Sequence, residues 1–229
     1  MNNDDFILIN GFKHIKYEQQ NFSEEEMKER SKKYFEYLNK RRSVRDFSDK
    51  SVPLEIIENI IKSASTAPSG ANKQPWTFCI VESLDMKKRI RKAAEEEEFK
   101  SYNERMSDVW LNDLKHLGTD TNKSFLETAP YLIVVFKRLF EYEVDGKKHQ
   151  NYYVNESVGL ACGLLISAIH NAGLVTLTHT PSPMHFLDKI LNRPKNERAF
   201  LLLPVGYAAK NTYVPDIKRK QLTEIGEIY

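Results

Sequence analysis

The spacing of apolar and polar residues along the chain predicts five helices. The first begins at a capping box, in which the Ser23 hydroxyl and the Glu26 carboxylate each satisfy a free backbone N–H group. The second follows Ser51 and carries an apolar stripe that ends at Ala64. The predicted helices cover residues 23–40, the segment from Ser51 to Ala64, and residues 85–106, 151–172 and 184–191.

The helix predicted at residues 151–172 is apolar on nearly every face. Val158, Leu160 and Ala161 point in different directions around its axis, which is typical of a helix buried in the centre of a domain. Gly173 follows it and suits the left-handed conformation that commonly ends a helix. We therefore expect this helix to be central and buried all round.

Four segments rich in β-branched and aromatic residues predict strands. A run of Pro and Gly at residues 66–75 separates the second helix from the first strand, and residues 107–125 are either helical or irregular. Helices precede the first strand and interrupt the later ones, which predicts an α+β fold with a mixed β-sheet flanked by helices. The predicted strands are residues 76–81, 131–136, 174–180 and 200–206.

The length of 229 residues fits one globular domain. We expect this domain to span residues 22–206, between an extended N-terminal arm at residues 1–21 and an extended, basic C-terminal arm at residues 207–229. No repeat, low-complexity linker or change of composition indicates another boundary within it.

Composition narrows the function without naming it. Lys and Arg number 34 against 32 Asp and Glu, so the net charge of +2 gives no general attraction for nucleic acid or for a membrane surface. The longest nearly apolar stretch, residues 159–169, is far shorter than the roughly 20 residues of a membrane span. Cys79 and Cys162 lie in unrelated apolar segments, which favours thiols in a reducing compartment and a cytoplasmic protein. The six histidines have no zinc-site spacing, so we expect no metal.

Four short motifs contain residues that suit a ligand. Three arginines and a serine at residues 41–45 match the donors that phosphate prefers, although cations at a helix end are also common without a ligand. Small residues at 68–72 allow a ligand to approach the backbone, or form a plain turn. Residues 178–180 place hydroxyls at a strand end, where a buried threonine is the alternative. Glu98 and Tyr102 share one helix face, which by itself indicates only a charged surface.

The order of these motifs resembles the nitroreductase superfamily of flavoproteins, and most closely its iodotyrosine deiodinase branch. The resemblance extends from about Arg41 to Leu222. It rests on the segments RRSVR, TAPSGA, PWTF, EEEE followed by Tyr102, Lys123 before TAP, NAGLVT, LLPVGY and VPDIKRK. It implies a nitroreductase-like fold and FMN bound at the interface of a homodimer.

The resemblance also implies a role for individual residues in holding FMN. Arg41, Arg42 and Arg219 would bind the phosphate, with Ser43 and Val44 beside the ribityl chain, and Arg45 would face the N1 edge of the flavin. Thr180 would act as the catalytic residue, because its hydrogen bond to flavin N5 favours one-electron chemistry over hydride transfer. The remaining implied flavin contacts are Pro68, Ser69, Gly70, Thr178 and His179. The deiodinases have a threonine in place of His179.

The implied substrate is a halotyrosine, which would lose its halogen as halide. The Ala71 N–H group would bind the phenolate oxygen. Glu98, Tyr102 and Lys123 would close over the amino acid as a lid, with Glu98 on the ammonium and Lys123 on the carboxylate. Two other functions remain open, a broad NAD(P)H-dependent nitroreductase and a flavin-binding protein without turnover. Neither of them needs residues that recognise a zwitterion.

Overall fold

A computed structural model describes residues 6–229. Its internal contacts divide the chain into two units, the first ending at Lys40 and the second spanning Arg41–Tyr229. The predicted domain boundaries at residues 21 and 206 are not tested by this division and stay predictions. No helix within residues 6–229 combines the length and the apolar composition that crossing a bilayer requires.

The first unit contains a β-hairpin and one helix. Strands β1 (Phe6–Ile9) and β2 (Phe12–Ile15) pair antiparallel within the predicted N-terminal arm, and residues 1–5 of that arm lie outside the described residues. Helix α1 (Glu24–Asn39) starts at the predicted capping box, in which Ser23 and Glu26 exchange hydrogen bonds of 2.8 and 3.3 Å. The helix start is therefore confirmed, while the hairpin has no counterpart in the sequence prediction.

The second unit has helices on both faces of a four-stranded sheet. The sheet order is β3-β4-β8-β7, and each neighbouring pair is antiparallel. A parallel bridge between Ser43 and Thr176 extends it at the β7 edge, so the sheet is mixed as predicted. The elements are α2 (Leu54–Ala64), β3 (Trp76–Val81), α3 (Leu84–Lys100), α4 (Asp108–Lys115), α5 (Phe125–Thr128), β4 (Tyr131–Arg138), β5 (Phe140–Tyr142), β6 (Lys148–Gln150), α6 (Val154–Asn171), β7 (Val175–Thr176), α7 (His185–Ile190), β8 (Glu197–Gly206) and α8 (Leu222–Ile225).

The core consists of two apolar layers, one on each face of this sheet. Strand β4 contributes to both, because its side chains alternate: Ile133 and Val135 pack with α2 and α6, whereas Val134 and Phe136 pack with α3, α5 and α7. All four of these side chains are fully buried. The central strands are therefore covered by apolar side chains on both faces.

Helix α6 differs from its prediction on one face. Its inner side is buried, including Ala161, Leu165 and Ile169. On its outer side, however, Leu160 is 53% exposed and Leu164 is 39% exposed, so the prediction of burial all round is wrong for the single chain. An apolar composition on every face shows that each face avoids water, but it does not show that one chain covers them all.

The predicted strand at residues 174–180 is also shorter than expected. Regular pairing ends at Thr176, which lies opposite Val205, and resumes only at His179, which lies opposite Leu202. In this register Leu177 faces Pro204, which has no N–H group to donate to the ladder. The interruption leaves residues 177–180 at the open end of the sheet, next to the motifs described below.

Candidate active site

The arginine motif at residues 41–45 lies beside strand β7. The Val44 N–H group donates to the Thr176 carbonyl over 3.2 Å, and Ser43 forms the parallel bridge with the same residue. Val44 itself is buried and anchors the segment. This pairing brings the motif next to residues 178–180, although more than 130 residues separate the two along the chain.

Three arginines meet where the C-terminal segment returns to this motif. Arg219 Nη2 donates to the Arg41 carbonyl over 2.8 Å, and the Arg42 guanidinium donates to the Pro215 carbonyl. Burial lowers the pKa of Arg41, and the charges of Arg219 and Arg42 lower it further. Within residues 6–229 no carboxylate forms an ion pair with Arg41 or Arg42. The cluster carries positive charge that an anion would neutralise, as a phosphate site requires.

A cavity of about 360 Å³ opens between the arginine motif and the C-terminal segment. Arg45 lies on its wall and also on the wall of the second cavity described below, so this guanidinium stands between the two spaces. The lining consists of Ser43, Arg45, Asp46, His116, Leu117, Gly118, Tyr213, Val214 and Pro215.

The second cavity, of about 230 Å³, brings together most of the predicted catalytic and substrate-binding residues. Arg45, Glu98, Tyr102 and Lys123 all reach it, together with residues 178–180. These residues come from four separate parts of the sequence. The fold therefore brings the predicted lid residues and the segment that follows strand β7 to one cavity.

Residues 178–180 alternate in direction at the wall of this cavity. Thr178 and Thr180 are exposed and His179 is buried, as expected where successive side chains of an extended segment point to opposite sides. The backbone N–H and carbonyl of His179 both pair with Leu202, over 2.9 and 3.1 Å. Its ring packs edge-on against Phe125 with centroids 5.8 Å apart. The cofactor contact predicted for His179 is not tested by this geometry and stays a prediction.

Glu98 and Lys123 form a buried ion pair in the cavity wall. Their side chains are 11% and 4% exposed, and Lys123 Nζ lies 3.7 Å from Glu98 Oε2. Burial raises the pKa of the Glu98 carboxyl and lowers the pKa of the Lys123 ammonium, and the attraction between the two charges offsets these effects only in part. The pair is therefore incompletely stabilised and would gain from further opposite charges.

Tyr102 and Thr119 complete the polar part of the lid. The Tyr102 hydroxyl donates to the Thr119 carbonyl over 3.2 Å, and Lys123 Nζ donates to the Thr119 hydroxyl over 3.1 Å and to the Asp120 carbonyl. Burial raises the pKa of Tyr102, so the phenol keeps its proton at neutral pH. Tyr102 lies in a π-helical turn, Ser101–Arg105, that continues α3.

The sequence prediction missed the apolar wall of the same cavity. Met106, Trp110 and Leu114 line it, and they follow one another at intervals of four residues. That spacing indicates one face of a helix and was the available signal, although only Trp110 and Leu114 lie in α4 and Met106 is extended. Because Trp110 is 52% exposed, an aromatic surface remains open beside the polar lid residues.

The loop at residues 68–71 lies elsewhere. None of these four residues lines either of the two cavities described above. Pro68 instead borders a third cavity, beside the exposed face of α6. Ala71 has φ of +49°, a conformation that costs of order 1–3 kcal/mol for a residue with a Cβ atom. Its N–H group donates to no acceptor within residues 6–229. A strained residue with a free donor is typical of a ligand site.

Comparisons with known proteins match nearly the whole chain to one family. Residues 38–207 match the Nitroreductase family. An iodotyrosine deiodinase of Haliscomenobacter hydrossis is 57% identical over 215 residues, which cover 94% of this chain and 97% of that protein. Iodotyrosine deiodinase 1 of Mus musculus is 49% identical over 93% of this chain and 75% of its own length.

Solved structures agree with these sequence relationships. A crystal structure of oxidised iodotyrosine deiodinase bound to FMN and 3-iodo-L-tyrosine has a TM-score of 0.71 and 33% identity, covering 82% of this chain and 95% of that one. A nitroreductase-like protein of Streptococcus mutans, at 20% identity, has a TM-score of 0.64 over 87% of this chain and 99% of its own, and shows the fold alone. The chain therefore belongs to the nitroreductase family, and within it to the iodotyrosine deiodinases.

Proposed function

We propose that this protein is an FMN-dependent reductive dehalogenase that converts halotyrosines to tyrosine and halide. The observation that carries the proposal is the buried pair of Glu98 and Lys123, two opposite charges 3.7 Å apart. The attraction between them does not fully offset the cost of burying either charge. A zwitterionic amino acid supplies both missing charges, because its ammonium suits Glu98 and its carboxylate suits Lys123. The kinship with iodotyrosine deiodinases supports the same substrate class.

The residues at the β7 edge fit FMN. Arg41, Arg42 and Arg219 would hold the phosphate, since they form a cluster of like charges in which the pKa of Arg41 is already lowered. Ser43 and the Val44 backbone would lie beside the ribityl chain. Bound FMN supplies the two electrons that, with a proton, replace a carbon–halogen bond by carbon–hydrogen and release halide.

The remaining flavin contacts divide between the two polar edges of the ring. Arg45 would place its charge near the N1 edge, where negative charge develops on reduction. Thr180 would donate its hydroxyl to the opposite edge as the catalytic residue, with Thr178 beside it, and both side chains are exposed toward the cavity. His179 lines the same cavity and would lie at the same edge of the flavin, with its ring buried.

Substrate would lie between the lid and the loop at residues 68–71. Glu98, Tyr102 and Lys123 would contact the amino-acid end. The Ala71 N–H group would bind the phenolate oxygen, which suits its left-handed backbone and free donor. Pro68, Ser69 and Gly70 would pack against the flavin ring.

A homodimer forms part of the proposal, because the site is incomplete in one chain. The loop at residues 68–71 borders the exposed apolar face of α6, formed by Gly159, Leu160, Gly163 and Leu164, and not the arginine cavity. A second copy packed on this face would cover the apolar side chains and bring its loop to the first copy's arginine cluster. The terminal arms at residues 1–21 and 207–229 would then lie on the partner subunit.

Two further parts of the proposal concern the surroundings of the enzyme. NADPH would be the ultimate source of electrons, as in related flavin oxidoreductases. The cytoplasm would be the compartment, since reducing conditions there would keep Cys79 and Cys162 as the thiols that the structure shows.

The test is a comparison of two ligands in two variants. Glu98→Gln removes the carboxylate charge and should raise the dissociation constant of 3-iodotyrosine by about one to two powers of ten, because a charged pair shielded from water is lost. The affinity for 2-iodophenol, which has no ammonium group, should not change. Glu96→Gln is the matched control, since it removes one charge from an exposed position on the same helix. Quenching of FMN fluorescence on titration measures each constant.

The unmodified protein provides the decisive comparison. Equal affinities for 3-iodotyrosine and 2-iodophenol would overturn the proposed substrate and favour a broad nitroreductase, which has no need to bind a zwitterion. A protein that binds no FMN at all would overturn the flavoenzyme itself. Strong preference for 3-iodotyrosine, lost in Glu98→Gln and kept in Glu96→Gln, is the expected result.

A further inference from the structure

His179 is the one residue of the 178–180 segment that faces the protein interior, and it faces Glu98. Its Nδ1 atom lies 3.8 Å from Glu98 Oε1, which is longer than a hydrogen bond, and Lys123 faces the other carboxylate oxygen, Oε2. The His179 backbone is held by both hydrogen bonds to Leu202, and its ring is held by the edge of Phe125. The imidazole therefore has a fixed place beside the lid carboxylate.

The surroundings keep this imidazole neutral. Burial, together with the charges of Lys123 and Arg45, lowers the pKa of His179 to about 3. A neutral imidazole carries its proton on one nitrogen only. The His179 Nε2 atom is buried and has no hydrogen-bond partner within residues 6–229, so no other group competes to set the tautomer. The anionic Glu98 favours the form that turns an Nδ1–H group toward it.

Glu98 needs this donor most when substrate is bound. The nearest cation to Glu98 is Lys123, whose ammonium is also held by the Thr119 hydroxyl and the Asp120 carbonyl. A substrate carboxylate would draw Lys123 toward itself. A shift of the Glu98 carboxylate by about 1 Å would bring Oε1 within hydrogen-bonding distance of the His179 Nδ1–H group, which would then hold the carboxylate toward the substrate ammonium.

We propose that His179 is a positioning residue that orients the Glu98 carboxylate and so determines selectivity for amino-acid substrates over simple halophenols. This inference rests on the proposed function, in which Glu98 binds the ammonium group. In this role His179 acts through Glu98 and not by contacting the substrate itself. Its effect should therefore appear only with ligands that carry an ammonium group.

The experiment compares two substitutions in the FMN-bound protein. His179→Leu removes the donor, and His179→Asn keeps an amide N–H group near the former Nδ1 position. With His179→Leu the dissociation constant of 3-iodotyrosine should rise about threefold to tenfold, the effect of one lost hydrogen bond, while that of 2-iodophenol stays unchanged. His179→Asn should restore most of the lost affinity. His179→Met is a second donor-free variant, for use if the leucine variant fails to retain FMN.

The pH dependence adds a measurement that a packing role would not change. Lys123, Asp120, Arg45 and Tyr102 are the other charged or titratable groups that face the Glu98–His179 pair. The pKa of Glu98 is already raised by burial, so 3-iodotyrosine affinity should fall as pH decreases through it. In the substrate complex, where we propose that His179 donates to Glu98, removing the donor would destabilise the carboxylate further. The fall should thus begin at a higher pH in His179→Leu, and return toward the original pH in His179→Asn.

Three results would overturn the inference. Unchanged 3-iodotyrosine affinity in the donor-free variants would mean that Lys123 alone orients Glu98. Equal losses for 3-iodotyrosine and 2-iodophenol would give His179 a packing role, as would identical behaviour of the leucine and asparagine variants. Failure of the proposed function is a separate result, because it appears in the unmodified protein as equal affinity for the two ligands.

Discussion

The phosphate end of the proposed FMN site can be tested at Arg42. Its guanidinium donates to the Pro215 carbonyl and lies close enough to Arg41 to lower the pKa of that residue. Within residues 6–229 no carboxylate forms an ion pair with Arg42. The charge of Arg42 is therefore uncompensated by protein groups, and a phosphate dianion would be its partner.

The expected size of the effect follows from one charged hydrogen bond. Arg42→Ala should remove about 1.5–3 kcal/mol of phosphate binding. Since about 1.4 kcal/mol corresponds to a tenfold change, the dissociation constant of FMN should rise roughly 10-fold to 150-fold. The protein should still fold, because losing the bond to Pro215 is offset in part by relief of repulsion with Arg41.

Riboflavin supplies the matched ligand for the assay. It carries the same ring and ribityl chain as FMN but no phosphate, so Arg42→Ala should leave its dissociation constant unchanged. Both ligands are titrated into cofactor-free protein and followed by quenching of flavin fluorescence. Arg89→Gln, which removes a positive charge from an exposed position on α3, should affect neither ligand. Added salt should reduce the FMN-specific difference, because it screens charges that remain partly in solvent.

Two outcomes would refute this reasoning. Equal losses of FMN and riboflavin affinity would mean that Arg42 acts by packing and not through the phosphate. Unchanged FMN affinity would place the phosphate away from the arginine cluster. Either result would remove the strongest support for the orientation of the cofactor along β7.

Three other changes test the catalytic residue, the dimer and the stability of the sheet. Thr180→Ala should largely preserve FMN affinity, since the phosphate contacts remain, but raise the rate of nitroaromatic reduction relative to 3-iodotyrosine dehalogenation; an unchanged ratio would make Thr180 structural. Leu160→Glu places a charge on the exposed face of α6 and should yield a monomer by light scattering, whereas a persistent dimer would exclude that face. Glu197→Gln should cost about 1.5–3 kcal/mol, or roughly 3–12 °C in Tm, because the buried Glu197 carboxylate accepts charged hydrogen bonds. Glu141→Gln is its control, because Glu141 is 40% exposed and pairs with Arg138, which also lies beside Glu197. This change should cost about 1 kcal/mol of stability or less. Equal losses of stability in both variants would contradict the role of burial.

The sequence alone determined the elements whose cause is local. The capping box at Ser23 begins α1 through hydrogen bonds between residues three apart, so the pattern contains the whole explanation. The strands β3 and β4 are rich in β-branched and aromatic residues and occur where they were predicted. Gly173 follows α6 with φ of +75°, as its position in the sequence predicts.

Two features differ from their local prediction because they depend on residues distant in sequence. Residues 174–180 have the composition of one strand, yet the ladder breaks at Leu177 because Pro204 lies opposite. The composition of α6 likewise shows which side chains avoid water, but not whether the cover comes from the same chain. Both features depend on residues distant in sequence, which periodicity does not register.

In the candidate active site, too, the sequence predicted some features and the tertiary structure decided others. Residue type and resemblance identified the arginines, the threonines and the lid residues before any geometry was known. Only the tertiary structure showed that Glu98 and Lys123 are buried as a pair and that His179 faces Glu98. It also placed residues 68–71 outside the lining of both cavities. Burial, tautomer and charge compensation depend on every group around a side chain, so they arise only when the packed sheet brings distant segments together.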